Sequence, residues 1–181
     1  MDNSLKNYTL NIFLKQSQSQ IEDTMTMLRY MRPRDTGRQA FDLSLREVQS
    51  LKDNLLQGDF NSLIECVRVL EDIEVDEIMR MNIVSFWGKV LSIKKQIEDI
   101  NINETKTLSS DHANFKWEAV NGSDKMSKFG IYNTLDTLSG GNILLYEQIL
   151  DLPYADIFIK MYMNRVKSDL DTEMSQLKTN R

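Results

Sequence analysis

The chain has 181 residues, with 22 Lys and Arg against 27 Asp and Glu, a formal net charge of -5, and 41% hydrophobic residues. This length can bury a real core in one domain or two small ones, and the composition excludes a disordered or low-complexity chain. The acidic balance argues against nonspecific nucleic-acid binding by the whole surface, because phosphate contact needs an excess of Lys and Arg.

Helical periodicity begins close to the N-terminus. Apolar residues recur at helical spacing from about Tyr8 to Met31 and predict one long amphipathic helix. This helix ends at Arg32-Pro33, because the residue before a proline is pushed out of the helical region, and Gly37 supplies a turn. A second helix is predicted from Phe41 to Leu55, with Gly58 as its C-terminal cap.

Three more helical segments complete the first hundred residues. Asp59 is suited to capping a helix over residues 60–70, and a short helix is predicted over residues 75–81. Residues 83–100 begin with turns that are apolar on most sides, which is typical of a central or contact helix. Residues 1–100 are therefore predicted to form an N-terminal helical bundle.

Residues 101–125 lose the helical periodicity and predict an irregular connection. Residues 115–119 alternate between apolar and polar, and Asn121-Gly122 after them is a strong hairpin signal. The following residues alternate poorly, however, and Ser123 suits the N-terminal cap of a helix. We favour a helix here, with a short hairpin over residues 115–129 as the alternative.

The last third of the chain predicts helices again. Gly140-Gly141 marks a turn before a short helix over residues 143–150, and Pro153 suits the first position of a helix that runs to about Leu177. Residues 126–181 are expected to pack on the same core as the N-terminal bundle. The predicted fold is all-α, a bundle of about six to eight helices in one domain with an irregular middle.

The residue types that carry catalysis or bind metals favour structural interpretations. His112 follows Asp111 in a polar loop, where a lone histidine is usually solvated. Cys66 lies in an apolar run, and no His or Cys pair has metal-ligand spacing. Gly140-Gly141 lacks the Lys-Ser or Lys-Thr of a phosphate-binding loop. We expect no enzymatic activity, metal or cofactor, with a small hydrolase using the Asp111-His112 loop as one alternative.

The expected location is cytoplasmic, without membrane contact. Residues 1–6 lack the basic and apolar regions of a signal peptide, and no stretch approaches 18 uninterrupted apolar residues.

Charge is concentrated at two predicted turns. One turn carries arginines and the other carries carboxylates: Arg29, Arg32, Arg34 and Arg38, and Glu71, Asp72, Glu74, Asp76 and Glu77. One interpretation is two solvated loops. The other is that the arginine turn meets the acidic turn of a neighbouring subunit, or another acidic partner, through steering and bidentate pairing. A regulatory nucleic-acid-associated protein that uses the arginine turn, residues 29–38, is a further alternative.

The last predicted helix carries an unusually wide apolar arc. Apolar residues fill positions 157–163 except for Lys160, which is too wide an arc for an ordinary surface helix. Phe158, Met161 and Tyr162 are either core residues buried on two sides or part of a partner-binding surface. The candidate partner-binding residues are therefore Arg32, Arg34, Arg38, Glu74, Asp76, Phe158, Met161 and Tyr162.

Two segments carry a family resemblance. The segment of residues 70–81 contains several acidic residues and leads into Phe86-Trp87. This part of the sequence resembles the small helical tail-assembly chaperones and related morphogenesis proteins of tailed phages. In those proteins a later Leu-Pro-Tyr, here Leu152-Pro153-Tyr154, starts a closing helix. The resemblance implies a non-enzymatic assembly or structural component, either chaperone or connector, that binds protein partners or itself in the host cytoplasm or the virion.

Overall fold

The computed structural model describes residues 8–109 and 115–179, and within these ranges the chain is helical with no β-strand. The helices are α1 (Leu10–Phe13), α2 (Gln18–Leu28), α3 (Leu45–Gln57), α4 (Phe60–Glu71), α5 (Val75–Arg80), α6 (Ile83–Leu108), α7 (Phe115–Ala119), α8 (Gly122–Ser127), α9 (Ile131–Ser139), α10 (Tyr146–Leu150) and α11 (Tyr154–Thr179). Short 3₁₀ turns occupy Ala40–Asp42 and Ile143–Leu145. The all-α prediction is confirmed, but the described ranges hold eleven α-helices rather than six to eight.

One reason for the larger number of helices is that the first predicted helix is divided into α1 and α2. α1 ends at Phe13, and α2 starts after Ser17, whose hydroxyl accepts from the backbone N–H of Gln20 while the Gln20 side chain accepts from the N–H of Ser17. This reciprocal capping box satisfies backbone donors that would otherwise lack partners at a helix start. The polar residues that interrupt the apolar pattern therefore begin a new helix.

Residues 101–125 differ from the irregular connection that the sequence predicts. α6 continues to Leu108, α7 and α8 follow within residues 115–127, and residues 110–114 lie outside the described ranges. Asn121 adopts the left-handed conformation, with φ 52° and ψ 45°, and its N–H donates to the carbonyl of Glu118. Asn-Gly here turns one short helix into the next, so the hairpin alternative over residues 115–129 is wrong and the helical preference is correct.

The described chain divides into two units. Unit 1 comprises residues 1–43 and 47–99, and unit 2 comprises residues 44–46 and 100–181. α3 and α6 each contribute residues to both units. Within the described ranges, every helix is too short or too polar to span a bilayer.

Unit 1 is built around a core of fully buried apolar side chains. The N-terminal segment joins this core where the N–H of Leu10 donates to the carbonyl of Met81 over 2.9 Å and the N–H of Ile83 donates to the carbonyl of Tyr8 over 2.9 Å. Phe13 then packs edge-on against Phe60, with ring centroids 5.5 Å apart. Because these contacts join residues distant in sequence, they tie α1, α4, α5 and the start of α6 together.

Among the described residues, unit 2 has fewer buried apolar side chains than unit 1. Its buried apolar residues are Leu45, Ile100, Leu135, Ile149, Tyr154 and Ile157. The start of α3 joins the chain just before α11, because the N–H of Leu45 donates to the carbonyl of Leu152 over 3.0 Å. Arg46 contributes an exposed ion pair with Glu147 over 2.7 Å and another with Asp151 over 2.9 Å.

Candidate functional site

The candidate site lies on α11, and its position depends on how that helix begins. The carbonyl of Pro153 accepts from the N–H groups of Asp156 and Ile157, so the proline lies one residue before the helix rather than at its first position, where the sequence predicts it. Tyr154, only 1% exposed, donates its hydroxyl to Glu104 Oε1 over 2.7 Å. Burial and this hydrogen bond raise the pKa of Tyr154 above its ordinary value. The first turn of α11 is thereby anchored within unit 2.

Beyond this anchor, one face of α11 packs against its own unit. Met161, Asn164 and Arg165 line a cavity of about 270 Å³, together with residues of α9 and Leu108 of α6. Arg165 donates from Nε to the carbonyl of Ser109 over 2.6 Å and forms an ion pair with Asp169. This inward face therefore holds α11 against α6 and α9.

The opposite face of α11 is apolar and exposed. At about 100° per residue, six apolar side chains fall within an arc of about 80°, centred about 180° from the inward face. We name this set the α11 stripe: Ile159, Met163, Val166, Leu170, Met174 and Leu177. Each of these side chains is between 39% and 71% exposed. With a rise of about 1.5 Å per residue, the stripe is about 27 Å long.

The α11 stripe has the size and chemistry of a protein-docking surface. Single exposed apolar residues are ordinary on a protein surface, but a contiguous apolar row marks a contact site. An amphipathic helix with anchors three or four residues apart is also a standard element of helix-to-helix recognition. Two methionines add unbranched side chains that adapt to a partner.

Charged residues beside the stripe are segregated along the helix. Residues 159–168 contain Lys160, Arg165 and Lys167 and no carboxylate, whereas residues 169–177 contain Asp169, Asp171 and Glu173 and no Lys or Arg. Arg165 and Asp169 neutralise each other across the middle of the helix. The exposed charges are therefore basic in the first half of the stripe and acidic in the second half.

The structure places the three predicted residues of α11 in different surroundings. Phe158 is half-buried beside Tyr154, with ring centroids 6.3 Å apart, and Met161 is half-buried in the cavity wall. Tyr162 is 47% exposed and lies at the edge of the α11 stripe. Of the three, Tyr162 is therefore the one beside the candidate docking surface.

The predicted arginines do not form a single site. Arg34 lies along α6: its N–H donates to the carbonyl of Gly88 over 2.9 Å, and its guanidinium donates to Ser85 Oγ over 2.8 Å. Arg38 pairs with Glu47 over 3.4 Å, and Arg32 is exposed. Two of the three arginines therefore take part in contacts within unit 1.

The acidic turn is also partly used within unit 1. Glu71 accepts from the N–H of Gly37 over 3.2 Å and pairs with Lys89 over 2.6 Å. Glu74 and Asp76 are exposed at the start of α5, where carboxylates interact favourably with the helix dipole. The arginine and acidic segments thus meet within one chain, through the backbone N–H of Gly37 and the carboxylate of Glu71.

The remaining candidate catalytic residues are Asp111, His112 and Cys66. Asp111 and His112 lie outside the described ranges. Cys66 is fully buried, and burial raises the pKa of its thiol to about 12, which disfavours the reactive thiolate. Among the described residues, no group of three or more His, Cys, Asp or Glu side chains is arranged to hold a metal ion.

The apolar arc predicted from the sequence covers residues 157–163 and therefore includes only Ile159 and Met163 of the α11 stripe. A signal was present in the sequence: Met163, Leu170 and Leu177 are seven residues apart, as are Ile159 and Val166.

In comparisons with known proteins, no family model, curated protein or solved structure matches the chain.

Proposed function

We propose that this protein is a non-enzymatic assembly protein that works by docking the α11 stripe onto a protein partner. The observation that carries the proposal is the 27 Å apolar row, about as long as 18 helical residues, on the side of α11 that faces away from its own unit. Covering such a row removes apolar area from water, which is the main favourable contribution to most protein association.

The narrower proposal is an assembly or structural component of a tailed phage, chaperone or connector in type. Its support is the similarity of residues 70–87 and of Leu152-Pro153-Tyr154 to tail-assembly chaperones. The α11 helix that follows this tripeptide carries the exposed stripe. If the proposal holds, genes beside its own encode virion proteins.

The docking proposal is tested by the accessibility of the stripe inside the cell. Val166→Cys places a thiol in the middle of the stripe. Ser168→Cys is the matched control, because Ser168 lies on the other side of the helix from the stripe but is itself exposed at that position. Native Cys66 is buried and contributes little background labelling. We expect a membrane-permeable maleimide to label Val166→Cys more slowly in cells than in dilute purified protein, with Ser168→Cys labelled equally in both. Equal labelling of Val166→Cys in both settings would refute the docking function.

A further inference from the structure

An irregular segment of unit 1 joins α2 to the 3₁₀ turn at Ala40–Asp42 and lies against α6. We call this segment, residues 29–39, the strap. The backbone N–H of Arg34 donates to the carbonyl of Gly88 over 2.9 Å, and the Arg34 guanidinium donates to Ser85 Oγ over 2.8 Å. These contacts attach the strap to a helix that lies far along the chain.

Polar contacts also hold the second half of the strap. The N–H of Gly37 donates to Glu71 of α4 over 3.2 Å, and the side-chain amide of Gln96 donates to Thr36 Oγ1 over 2.9 Å. Within the strap, all of which the structure describes, Thr36 is the one buried residue. A segment that is held by hydrogen bonds near solvent, with little apolar burial, opens at a lower free energy than a packed core.

The helix before the strap is also weakly attached to its unit. All of α2 is described, and Leu28 is the one buried residue among its eleven, whereas α4 buries six of its twelve residues. Met27 and Tyr30, at the junction between α2 and the strap, are 63% and 88% exposed. α2 and the strap thus share the features of a region that separates easily from its neighbours.

The segments on either side of this region are fixed more firmly. On the N-terminal side, Phe13 is fully buried and packs against Phe60. On the C-terminal side, Ala40 and Leu43 are buried, and the N–H of Ala40 donates to Gln96 Oε1 over 2.7 Å. α2 and the strap therefore lie between two buried attachment points.

We propose that residues 17–39 form an arm that opens as one unit while the core of unit 1 stays folded. Opening breaks the hydrogen bonds of the strap and releases the apolar side of α2, on which Ile21, Met25 and Leu28 recur at helical spacing. Binding of another molecule to this released side would shift the protein towards the open form. The arm shares no residue with the α11 stripe, so this conformational device goes beyond the proposed docking function.

Gly88 is the position in α6 that allows the arm to close. A Cβ atom added at Gly88 would lie 2.6 Å from Cγ, 2.8 Å from Cδ and 3.0 Å from Cβ of Arg34. Carbon atoms in contact are ordinarily about 3.5–4.0 Å apart, so Gly88→Ala should displace the strap. Gly37→Ala is the matched control, because a Cβ atom there would lie 3.6 Å from Glu71 Oε2, an ordinary contact distance.

Hydrogen exchange followed by NMR tests the opening in the wild-type protein. We expect the amides of Met25, Arg34 and Gly37 to share one opening constant, about 100-fold larger than that of the core amides of Val67 and Val90. Added urea should speed exchange of the arm amides less steeply, because opening of the arm exposes less surface than global unfolding. Equal opening constants in the arm and the core would overturn the inference, as would different constants for α2 and the strap.

Limited trypsin digestion measures the same opening, because Arg34 must leave α6 before the protease can cleave after it. Cleavage of this kind follows the population of the open form when opening and closing are fast. We expect cleavage after Arg34 to be about tenfold faster in Gly88→Ala than in the wild type, and unchanged in Gly37→Ala. Equal cleavage of the two variants would overturn the inference.

A reversible disulfide tests whether the strap must leave α6. The Cβ atom of Arg34 lies 3.0 Å from the ideal Cβ position at Gly88, so a shift of about 1 Å brings Arg34→Cys, Gly88→Cys into disulfide range. Native Cys66 is buried and should not interfere. We expect oxidation of this double variant to slow exchange of the Met25 and Gly37 amides about tenfold or more, and reduction to restore it. Exchange that is unchanged by oxidation would overturn the inference.

Discussion

The two units of this protein use their apolar residues differently. Within the described ranges, nineteen of the buried apolar residues belong to unit 1 and six to unit 2. The exposed large hydrophobic residues show the reverse distribution, with six in unit 1 and sixteen in unit 2. Burial of apolar area is the main favourable term in folding. Among the described residues, unit 1 buries most of its large apolar side chains, whereas unit 2 leaves most of its own exposed to solvent.

The largest expected contrast between the units is in the effect of truncating an apolar side chain. Phe86→Ala removes a fully buried ring from unit 1 and should cost about 3–5 kcal/mol of unfolding free energy through lost burial and cavity formation. Met163→Ala in the α11 stripe should change the stability of the monomer by less than about 0.5 kcal/mol. Urea denaturation of both variants at low concentration measures the difference.

If Met163→Ala instead destabilised the dilute monomer as much as Phe86→Ala, the stripe would belong to a core. The contrast between the units would then be lost.

Ion pairs should show the same contrast with a smaller effect. In unit 1 the side chains of Glu71 and Lys89 are only 11% and 19% exposed, and Glu71 also accepts from the N–H of Gly37. Glu71→Gln should cost about 2–3 kcal/mol, because a half-buried ammonium loses its partner. In unit 2, Arg46→Ala removes exposed ion pairs and should have little effect, since solvent and salt screen them.

Thermal denaturation in low and in high salt checks this comparison. A loss of stability for Arg46→Ala as large as that for Glu71→Gln would contradict it.

Alkaline pH should destabilise unit 1 through Cys66. Burial raises the pKa of this thiol to about 12, whereas an unfolded thiol titrates near about 8.5. Between these values the unfolded chain loses a proton that the folded chain keeps, so stability falls as pH rises. The fall reaches about 2 kcal/mol at about pH 10.

Cys66→Ala should remove this part of the pH dependence, as measured by urea denaturation at neutral pH and at about pH 10. An equally steep alkaline loss in Cys66→Ala would show that another group is responsible.

The smallest effect is expected at the anchor of α11 in unit 2. Tyr154→Phe removes the hydrogen bond to Glu104 and should cost about 1 kcal/mol at neutral pH. Because the pKa of Tyr154 is raised, its contribution to stability is complete below about pH 10 and is lost at higher pH. The stability of Tyr154→Phe should therefore be less sensitive to pH above about 10 than that of the wild type. The matched control is Tyr146→Phe, which removes an exposed hydrogen bond from a tyrosine hydroxyl to Asp136.

Several local features followed from residue chemistry alone. Asp59 caps α4 by accepting from the N–H of Ser62, and Gly58 takes a positive φ of 70° after α3, each as its residue type predicts. Pro153 lies one residue before α11, close to its predicted first position. These are interactions between neighbours in the chain. The role of Ser17 as a new cap and of Asn121 as a corner between helices was not predicted, because the same residues also fit a continuous helix and a hairpin.

By itself the sequence determined the helical class and several helix ends, and its helical spacing contains the pattern that places the stripe residues on one face of α11. Only the tertiary structure decided which face is covered. Arg34 and Glu71 make contacts with residues far along the chain, and Met161 lines a cavity with α9 residues, which no local pattern specifies. The wide apolar arc around residues 157–163 thus divides into an inward side that supports the helix and an outward side that continues as the α11 stripe.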